Sequence, residues 1–269
     1  MATTSAVGSA FREWRRHRHL SQLELALSAD VSSRHLSFIE TGRSLPSREM
    51  VLHLTERLSV PLRQRNELLL MAGYAPAFSE RPIDDPALGA AREAMQRLIA
   101  AHEPYPALAV DRHWNVVAAN KATAPLSDCV ALHLRQQPVN VLRNSLHPEG
   151  LAPRIRNLRQ WRAHLLSRLQ RQIDLAPDPA LVSLLEERKG YRVPEGAPPA
   201  PAPGASPLVP MQLDIGVGTL SLISTTLVFG TPLDITLSEL ALEAFFPADP
   251  ESATLLQQLA KRNAGPDRA

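Results

Sequence analysis

The sequence predicts two domains of different class: an all-α domain of five helices over residues 1–75, then a mixed α/β domain over residues 87–262. Three observations predict this. Apolar residues recur at helical spacing through the first 75 positions. A stretch holding Pro76, Pro82, Pro86 and the pair Asp84-Asp85 then has a linker's composition and sets a connector at 76–86. Beyond it, short runs rich in Val, Leu, Ile and Thr read as strands between helical segments. Residues 263–269 read as a tail.

The first helix is expected over Ser9–His19, with Phe11 and Trp14 on one face. Arg12, Arg15, Arg16 and Arg18 crowd the rest, either as a solvated basic face or as one that approaches phosphates. His17 and His19 stand at i, i+2 and point apart on a helix, which argues against a metal site. The second helix starts at Ser21, which caps it, and Glu24 three residues on completes a capping box. Leu23, Ala26 and Leu27 give this helix an apolar face. The chain breaks at Ala29-Asp30-Val31, and Ser32 caps the third helix. Leu36 and Ile39 face inward at i, i+3, Ser33, Arg34, Ser37 and Phe38 are left facing out, and Gly42 ends the helix. Two short capped helices joined by a tight turn form the helix-turn-helix layout, in which the outward residues of the second helix meet base edges. Ser47–Leu58 makes a fourth helix with a stripe of Met50, Val51, Leu54 and Leu58. Pro61 interrupts the chain, and Leu62–Ala72 makes a fifth helix ending at Gly73. These two are expected to bury Leu23, Leu36 and Ile39 and to hold the third helix rigid.

Leu20-Ser21-Gln22, Leu25-Ala26, Val31-Ser32, Ile39-Glu40-Thr41-Gly42-Arg43 and Pro46-Ser47 together resemble the helix-turn-helix domain of the lambda-repressor-like (XRE) family of bacterial regulators. The resemblance covers roughly the first 75 residues. It implies that Gln22 and Arg43 meet DNA phosphates, and that Ser32, Ser33, Arg34, Ser37 and Phe38 face the groove. Arg34 suits a bidentate bond to guanine and Phe38 a thymine methyl group.

The second region opens with an amphipathic helix, Ala87–His102, carrying Leu88, Ala91, Met95, Leu98 and Ile99 on one side. Pro106–Asp111 and Asn115–Ala119 read as strands about a turn at Arg112-His113-Trp114, and Asn120 starts a short helix that it caps. Val139–Leu146, Ala152–Ile173 and Pro179–Glu187 read as helices. Seven prolines in residues 194–210 mark an extended or mobile loop. Val209–Ile215 and Thr219–Phe229 read as strands about Gly216-Val217-Gly218, which lacks the third glycine of a dinucleotide loop and is a turn. Ile235–Phe246 is ambiguous, with strand favoured from about Leu240, and Glu251–Arg262 is a closing helix. Two strands, several helices, then three strands in a mixed sheet is the order of a PAS-like domain. Five motifs add a second resemblance: Asp111-Arg112-His113-Trp114-Asn115, Asn140-Val141-Leu142-Arg143, Leu146-His147-Pro148-Glu149-Gly150, Phe229-Gly230-Thr231-Pro232-Leu233-Asp234 and Phe246-Pro247-Ala248-Asp249. Over roughly residues 87–260 they resemble the MmyB-like ligand-binding domain, which commonly follows an XRE-type helix-turn-helix. The resemblance implies a PAS-like sensory domain with an apolar cavity and a fatty-acid-like ligand.

Candidate ligand contacts are Trp114, Asn140, Arg143, His147 and Phe229 on these motifs, and Asn120 outside them. Asn140, Arg143 and His147 recur at i, i+3, i+7. They either meet an acidic head group at a cavity mouth or cap helices and bond one another. Trp114 and Trp161 are more often core than ligand cage, and Asn120 more often a cap than a contact. Cys129 reads as a small buried hydrophobe.

Composition bounds the function. The chain is 44% hydrophobic, enough for a sizeable core, and its single cysteine permits no internal disulfide, which favours a reducing cytoplasm. No signal peptide is read at the N-terminus, and the longest apolar run, Leu68–Ala72, is far too short to span a membrane. Residues 1–75 hold 10 Arg and no Lys against 7 acids, a net of +3, while the remainder holds 19 basic and 20 acidic residues, a net of −1. The basic end is the end with the helix-turn-helix pattern. No serine elbow, metal-spaced His/Cys cluster or phosphate loop is found, so no enzyme, catalytic residue, metal or cofactor is expected. The expectation is a cytoplasmic, homodimeric, sequence-specific DNA-binding regulator that senses a small apolar ligand such as a fatty acid. The alternative is a regulator whose second domain docks a protein partner.

Overall fold

A computed structural model describes residues 2–192 and 208–263. Most of the proline-rich loop expected at 194–210, and the tail after Asn263, lie outside the described residues. The elements in chain order are α1 (Ala2–His17), α2 (Gln22–Ser28), α3 (Ser33–Glu40), α4 (Arg48–Arg57), α5 (Leu62–Met71), α6 (Gly89–Ala101), β1 (Ala107–Val110), β2 (Val116–Ala119), α7 (Ala124–Ser127), α8 (Val141–Leu146), α9 (Leu158–Leu175), α10 (Pro179–Lys189), β3 (Met211–Asp214), β4 (Thr219–Val228), α11 (Ile235–Ser238), β5 (Ala241–Pro247) and α12 (Pro250–Asn263). Short 3-10 turns precede α6, α7, α8 and α9. The chain divides into two compact units, Met1–Pro82 with Thr231–Ser238, and Ile83–Gly230 with Glu239–Ala269.

The first unit is all-α. Its core is Val7, Phe11, Leu25, Ala26, Leu36, Ile39, Val51, Leu54, Leu68 and Leu69, drawn from α1 to α5. Burial of this apolar surface, at roughly 25 cal/mol per Å², is what holds such short helices together. The face expected on α2 is corrected: Leu23 is 59% and Leu27 72% exposed, and Leu25, Ala26 and Ala29 are buried instead. Helical spacing fits either set. The choice is made by where α1 and α3 lie, which only packing decides. The basic residues of α1 correct a second expectation. Arg15 is buried, Arg12 donates to the Glu40 backbone oxygen at 2.9 Å, and Arg18 donates to the Leu58 and Ser59 oxygens at 2.9 Å. These guanidiniums satisfy carbonyls that helix C-termini leave without partners, so they tie the bundle together. Gly8 lets α1 approach the end of α3: a Cβ there would stand 2.3 Å from the Ile39 oxygen. The stretch Thr231–Ser238 completes this unit. Ile235 N donates to Ser79 O at 2.8 Å, Arg81 pairs with Asp234 at 2.9 Å, and Thr236 Oγ1 donates to Arg81 O at 2.6 Å.

The second unit is a five-stranded sheet of order β2-β1-β5-β4-β3 with helices against it. Every pairing is antiparallel, where a mixed sheet was expected. β1–β2 and β3–β4 are joined by tight turns that force reversal, and the long return to β5 brings it in antiparallel to both β1 and β4. Register places Ala119, Leu108, Glu243 and Thr226 in one row across four strands. Directly paired residues share a face, so this row, with Ser224, Phe245, Leu220, Leu222, Met211 and Leu213, faces the helical core. That core adds Trp161, Leu165 and Leu169 of α9 and Leu181, Leu184 and Leu185 of α10. In α6, Met95 and Ile99 are buried as expected, but Leu98 is exposed. The helix expected from Val139 begins at Val141, because Asn140 is extended and bridges Asn115. The helix expected from Ala152 begins at Leu158, because Ile155 bridges Leu213.

Candidate DNA-binding face and candidate ligand cavity

The third helix is fixed at both ends by its own sequence. Ser32 Oγ accepts from His35 N at 3.1 Å. At the other end Gly42 takes φ 72°, with its N–H bonded to Ile39 O and that of Arg43 to Phe38 O at 2.8 Å. This double bond is the Schellman stop, which needs a left-handed residue at the glycine. Ser32, Ser33, Arg34 and Arg43 are exposed, and Ser37 and Phe38 are half-buried. The Arg34 and Arg43 guanidiniums lie 5.4 and 5.8 Å from the Phe38 ring centroid, so two cations approach the ring. Gln22 is engaged inside the unit: its Nε2 donates to Glu40 Oε2 at 2.8 Å. Glu40, 2% exposed, also receives Arg15 Nε at 2.6 Å and Nη2 at 2.9 Å. Burial alone would raise the Glu40 carboxyl. The bonds from Arg15 and Gln22 and the nearby charges of Arg15 and Arg12 outweigh that, and its pKa lies below the ordinary value.

The second unit encloses a cavity of about 240 Å³ between the sheet and its helices, walled by Leu108, Trp114, Leu142, Trp161, Leu165 and Phe245. Its lining is mostly apolar, as ligand pockets are. Trp114 is placed there by an unusual backbone. It stands at φ 67° in the β1–β2 turn, a left-handed conformation that costs a bulky residue strain. The turn is held by Asp111, whose carboxylate accepts from the backbone N–H groups of His113 and Asn115 at 2.8 Å and from Asn115 Nδ2 at 2.9 Å. The Trp114 indole N–H donates to Gln172 at 2.8 Å, and the Arg168 guanidinium lies 4.9 Å from the ring centroid. The motif Asp111–Asn115 thus aims one aromatic wall into the cavity.

Of the six ligand contacts expected from sequence, Trp114 lines the cavity and the other five do not. Asn120 is buried, accepting from Ala107 N at 3.1 Å and donating to Ile99 O and Tyr105 O. It caps no helix with its side chain. Asn140 caps α8 through Arg143 N and donates to His113 O at 2.8 Å. Arg143 pairs with Glu187 at 2.8 Å. His147 Nδ1 accepts from Glu149 N at 3.0 Å, its ring meets Tyr191 edge-on, and its pKa is lowered, first by burial and then by His133 and Arg188. Phe229 is half-buried at the end of β4. His133, His147 and Glu149 bring ligand atoms within 4.8 Å of one another, and the His147 Nδ1 accepts from the Glu149 N–H. Cys129 is half-buried against the core, its thiol 3.4 Å from Pro125 O.

Among the cavity residues missed are two charged ones, Arg168 and Glu243. Both carried a signal. Glu243 is a lone charge at an inward register position of the Ala241–Phe246 alternation, and Arg168 interrupts the apolar stripe Trp161, Leu165, Leu169. A charge on an inward face is the exception that calls for a partner.

The profile of the helix-turn-helix family matches residues 11–64. That of the MmyB-like transcription regulator ligand binding domain matches residues 91–259. No curated protein gives a match. A solved structure, "Structure of an RNA-binding Light-Oxygen-Voltage Receptor", aligns at 12% identity over 98% of this chain and 64% of that one, and its TM-score of 0.25 is too low to carry weight. Among the described residues no helix is long and apolar enough to cross a membrane. With an XRE-type helix-turn-helix before it and the second match covering most of its length, the chain belongs to the MmyB-like transcription regulators and is built as a DNA-binding transcription regulator with a ligand-binding domain.

Proposed function

We propose that the chain binds operator DNA as a homodimer and that its second unit senses a small, mostly apolar, fatty-acid-like molecule. The observation that supports the sensory half is the cavity of about 240 Å³ with Trp114 and Trp161 in its walls. The reading half is supported by a helix capped at both ends, with Ser32, Ser33, Arg34 and Arg43 exposed on and beside it and Ser37 and Phe38 half-buried between them. A single such helix reads few base pairs, and two in a dimer would meet half-sites about 34 Å apart or a multiple of that. A ligand shifts this dimer only by its differential affinity for two arrangements of the protein. The chain itself offers a connection. Strands β4 and β5 contribute Ser224, Glu243 and Phe245 to the cavity, and the segment between them carries Thr231–Ser238, which belongs to the DNA-binding unit.

Native mass spectrometry of the purified chain, with organic extraction, tests the sensory half. A co-purifying apolar molecule supports it, and a chain that stays empty when offered both fatty acids and fatty alcohols counts against it. The reading half divides labour between two arginines. Arg34→Ala relaxes sequence preference, at about 1–3 kcal/mol for a bidentate base contact. Arg43→Ala weakens all sites alike, as loss of a phosphate contact does. Equal losses across sequences for both variants sink that assignment.

A further inference from the structure

The charged lining of the cavity bears on the head group it accepts. Among the described lining residues only Arg168 and Glu243 carry charge, and they spend it on each other. Arg168 Nη2 donates to Glu243 Oε1 at 2.7 Å and Nη1 to Oε2 at 3.1 Å. Arg168 Nη2 also donates to Thr226 Oγ1 at 3.0 Å, and the Thr226 hydroxyl donates to Glu243 Oε1 at 2.9 Å. The carboxylate side chain is 5% exposed and the guanidinium 19%. His164, a further titratable group that feels both charges, stacks on Trp161. Burial first, then the charges of Arg168 and Arg171, hold its pKa down against the pull of Glu243. A neutral imidazole at that place adds no cation.

What remains of the polar lining is neutral: Thr123, Ser127, Asn144, Ser145 and Ser224. Asn144 stands out, because its Oδ1 is buried and has no hydrogen-bond partner. Such orphans are rare in folded proteins, and one on a cavity wall is open to a donor from water or from a bound head group. Ser145 Oγ accepts from Trp161 Nε1 at 2.9 Å, which leaves its own hydroxyl proton to donate. A hydroxyl or amide head group finds both an acceptor and a donor here.

A carboxylate finds less. The attraction it gains from Arg168 is largely cancelled by Glu243, whose oxygens lie within 3.1 Å of the same guanidinium, and it must give up its hydration to enter. We propose that the cavity selects an uncharged amphiphile, an apolar chain with a hydroxyl- or amide-type head, over the carboxylate of a fatty acid, and that Glu243 sets this preference. The proposal rests on the sensory reading above and narrows it from fatty-acid-like to uncharged.

The test uses the full chain and two ligands of one chain length, 1-dodecanol and dodecanoate, at pH 7.5. Binding is followed by quenching of tryptophan fluorescence, since Trp114 and Trp161 line the cavity. The expected result is at least tenfold tighter binding of the alcohol by the native protein. Glu243→Gln keeps the shape and leaves Arg168 without its counter-charge, so the ratio should move toward dodecanoate by tenfold or more. Tighter binding of dodecanoate by the native protein overturns the proposal while leaving the sensory reading intact, and so does an unmoved ratio in a folded Glu243→Gln. Binding of neither ligand overturns the sensory reading and the proposal with it. The native comparison alone decides the matter where Glu243→Gln fails to fold.

Discussion

The two units each bury a bidentate Arg–Glu pair, and the pairs have opposite meanings. Arg15 and Glu40 meet at 2.6 and 2.9 Å, and Arg168 and Glu243 at 2.7 and 3.1 Å. Around the first, every remaining polar group turns back into the helices: Gln22 and Arg12 add to Glu40, and Arg15 also donates to the Leu20 oxygen at 2.8 Å. The second stands at the wall of a cavity, beside Trp114, and the same cavity is lined by an amide oxygen with no partner. A buried ion pair by itself says little about stability or function. What separates a brace from a binding feature is the space beside it and the direction in which unused polar capacity points.

The sharpest way to break this comparison is to remove one carboxylate. Glu40→Ala leaves Arg15 buried without a counter-charge, and the expected cost is about 3–5 kcal/mol. Urea denaturation followed at Trp14 measures it, and DNA affinity should fall with the folded fraction. A cost near zero would mean that the pair is no brace. Next in size is a pair of truncations. Leu36 is 0% exposed in the packed first core, and Leu36→Ala should cost about 2–5 kcal/mol. Leu142 is 2% exposed but borders the cavity, so fewer contacts are lost and Leu142→Ala should fall at the low end of that range. Equal losses would show that the cavity wall is packed as tightly as the DNA-binding core.

These cases also show what could be read from the chain. The caps Ser21, Ser32 and Ser47, the stop at Gly42 and the inward Leu36 and Ile39 are local facts, set by a residue and its neighbours within one turn, and the structure has them where they were expected. The order of strands was legible for the same reason, since Val, Ile and Thr runs and the Gly216–Gly218 turn are local. The face of α2 was not, because Leu23 and Leu25 are both leucines and only the position of α1 and α3 distinguishes them. Partners distant in sequence were equally hidden. Arg168 and Glu243 are 75 residues apart, and Arg15 and Glu40 are 25. The expected ligand contacts Asn120 and Asn140 are instead buried among backbone groups, because a motif marks a residue's need for order without saying what it orders.

Lowering the pH gives a smaller effect that separates carboxylates by their surroundings. The folded value of Glu40 lies below the ordinary 4.5, so the stability it contributes is complete above 4.5 and is lost as pH falls through that lowered value. Glu187 in the second unit goes further. Burial would raise it, but bonds from Arg143, Tyr191 and Arg188 hold it at about 2, so its contribution persists through most of the acid range and fades only as pH falls from 4.5 toward 2. Thermal melts from pH 7 to pH 3, followed by the near-ultraviolet signal of each unit's tryptophans, should show the melting temperature of the first unit dropping below pH 4.5. A first unit whose melting temperature is flat to pH 3 would contradict the Glu40 assignment.

The smallest effect concerns how the helices stop. Five helices of the first unit end with the same pair of backbone bonds, but only two use glycine, at Gly42 and Gly73; the others place His19, Asp30 and Ser59 at φ 56°, 50° and 49°. At Ser59 the stop is made by the backbone alone, with Ser59 N bonded to Glu56 O and Val60 N to Thr55 O, both at 2.9 Å. A left-handed residue with a Cβ costs about 1–2 kcal/mol, and glycine removes that while giving back roughly 0.5–1 kcal/mol as extra freedom in the unfolded chain. Ser59→Gly should therefore stabilise the first unit by about 0.5 kcal/mol, read as a rise in urea midpoint at unchanged slope. The reverse change, Gly42→Ala, puts a Cβ where φ is 72° and, by the same difference, should destabilise by about 0.5–1 kcal/mol. If both substitutions destabilise, the positive φ at Ser59 is not what limits the end of α4, and the stop is set instead by Arg18, whose guanidinium already holds the Leu58 and Ser59 oxygens.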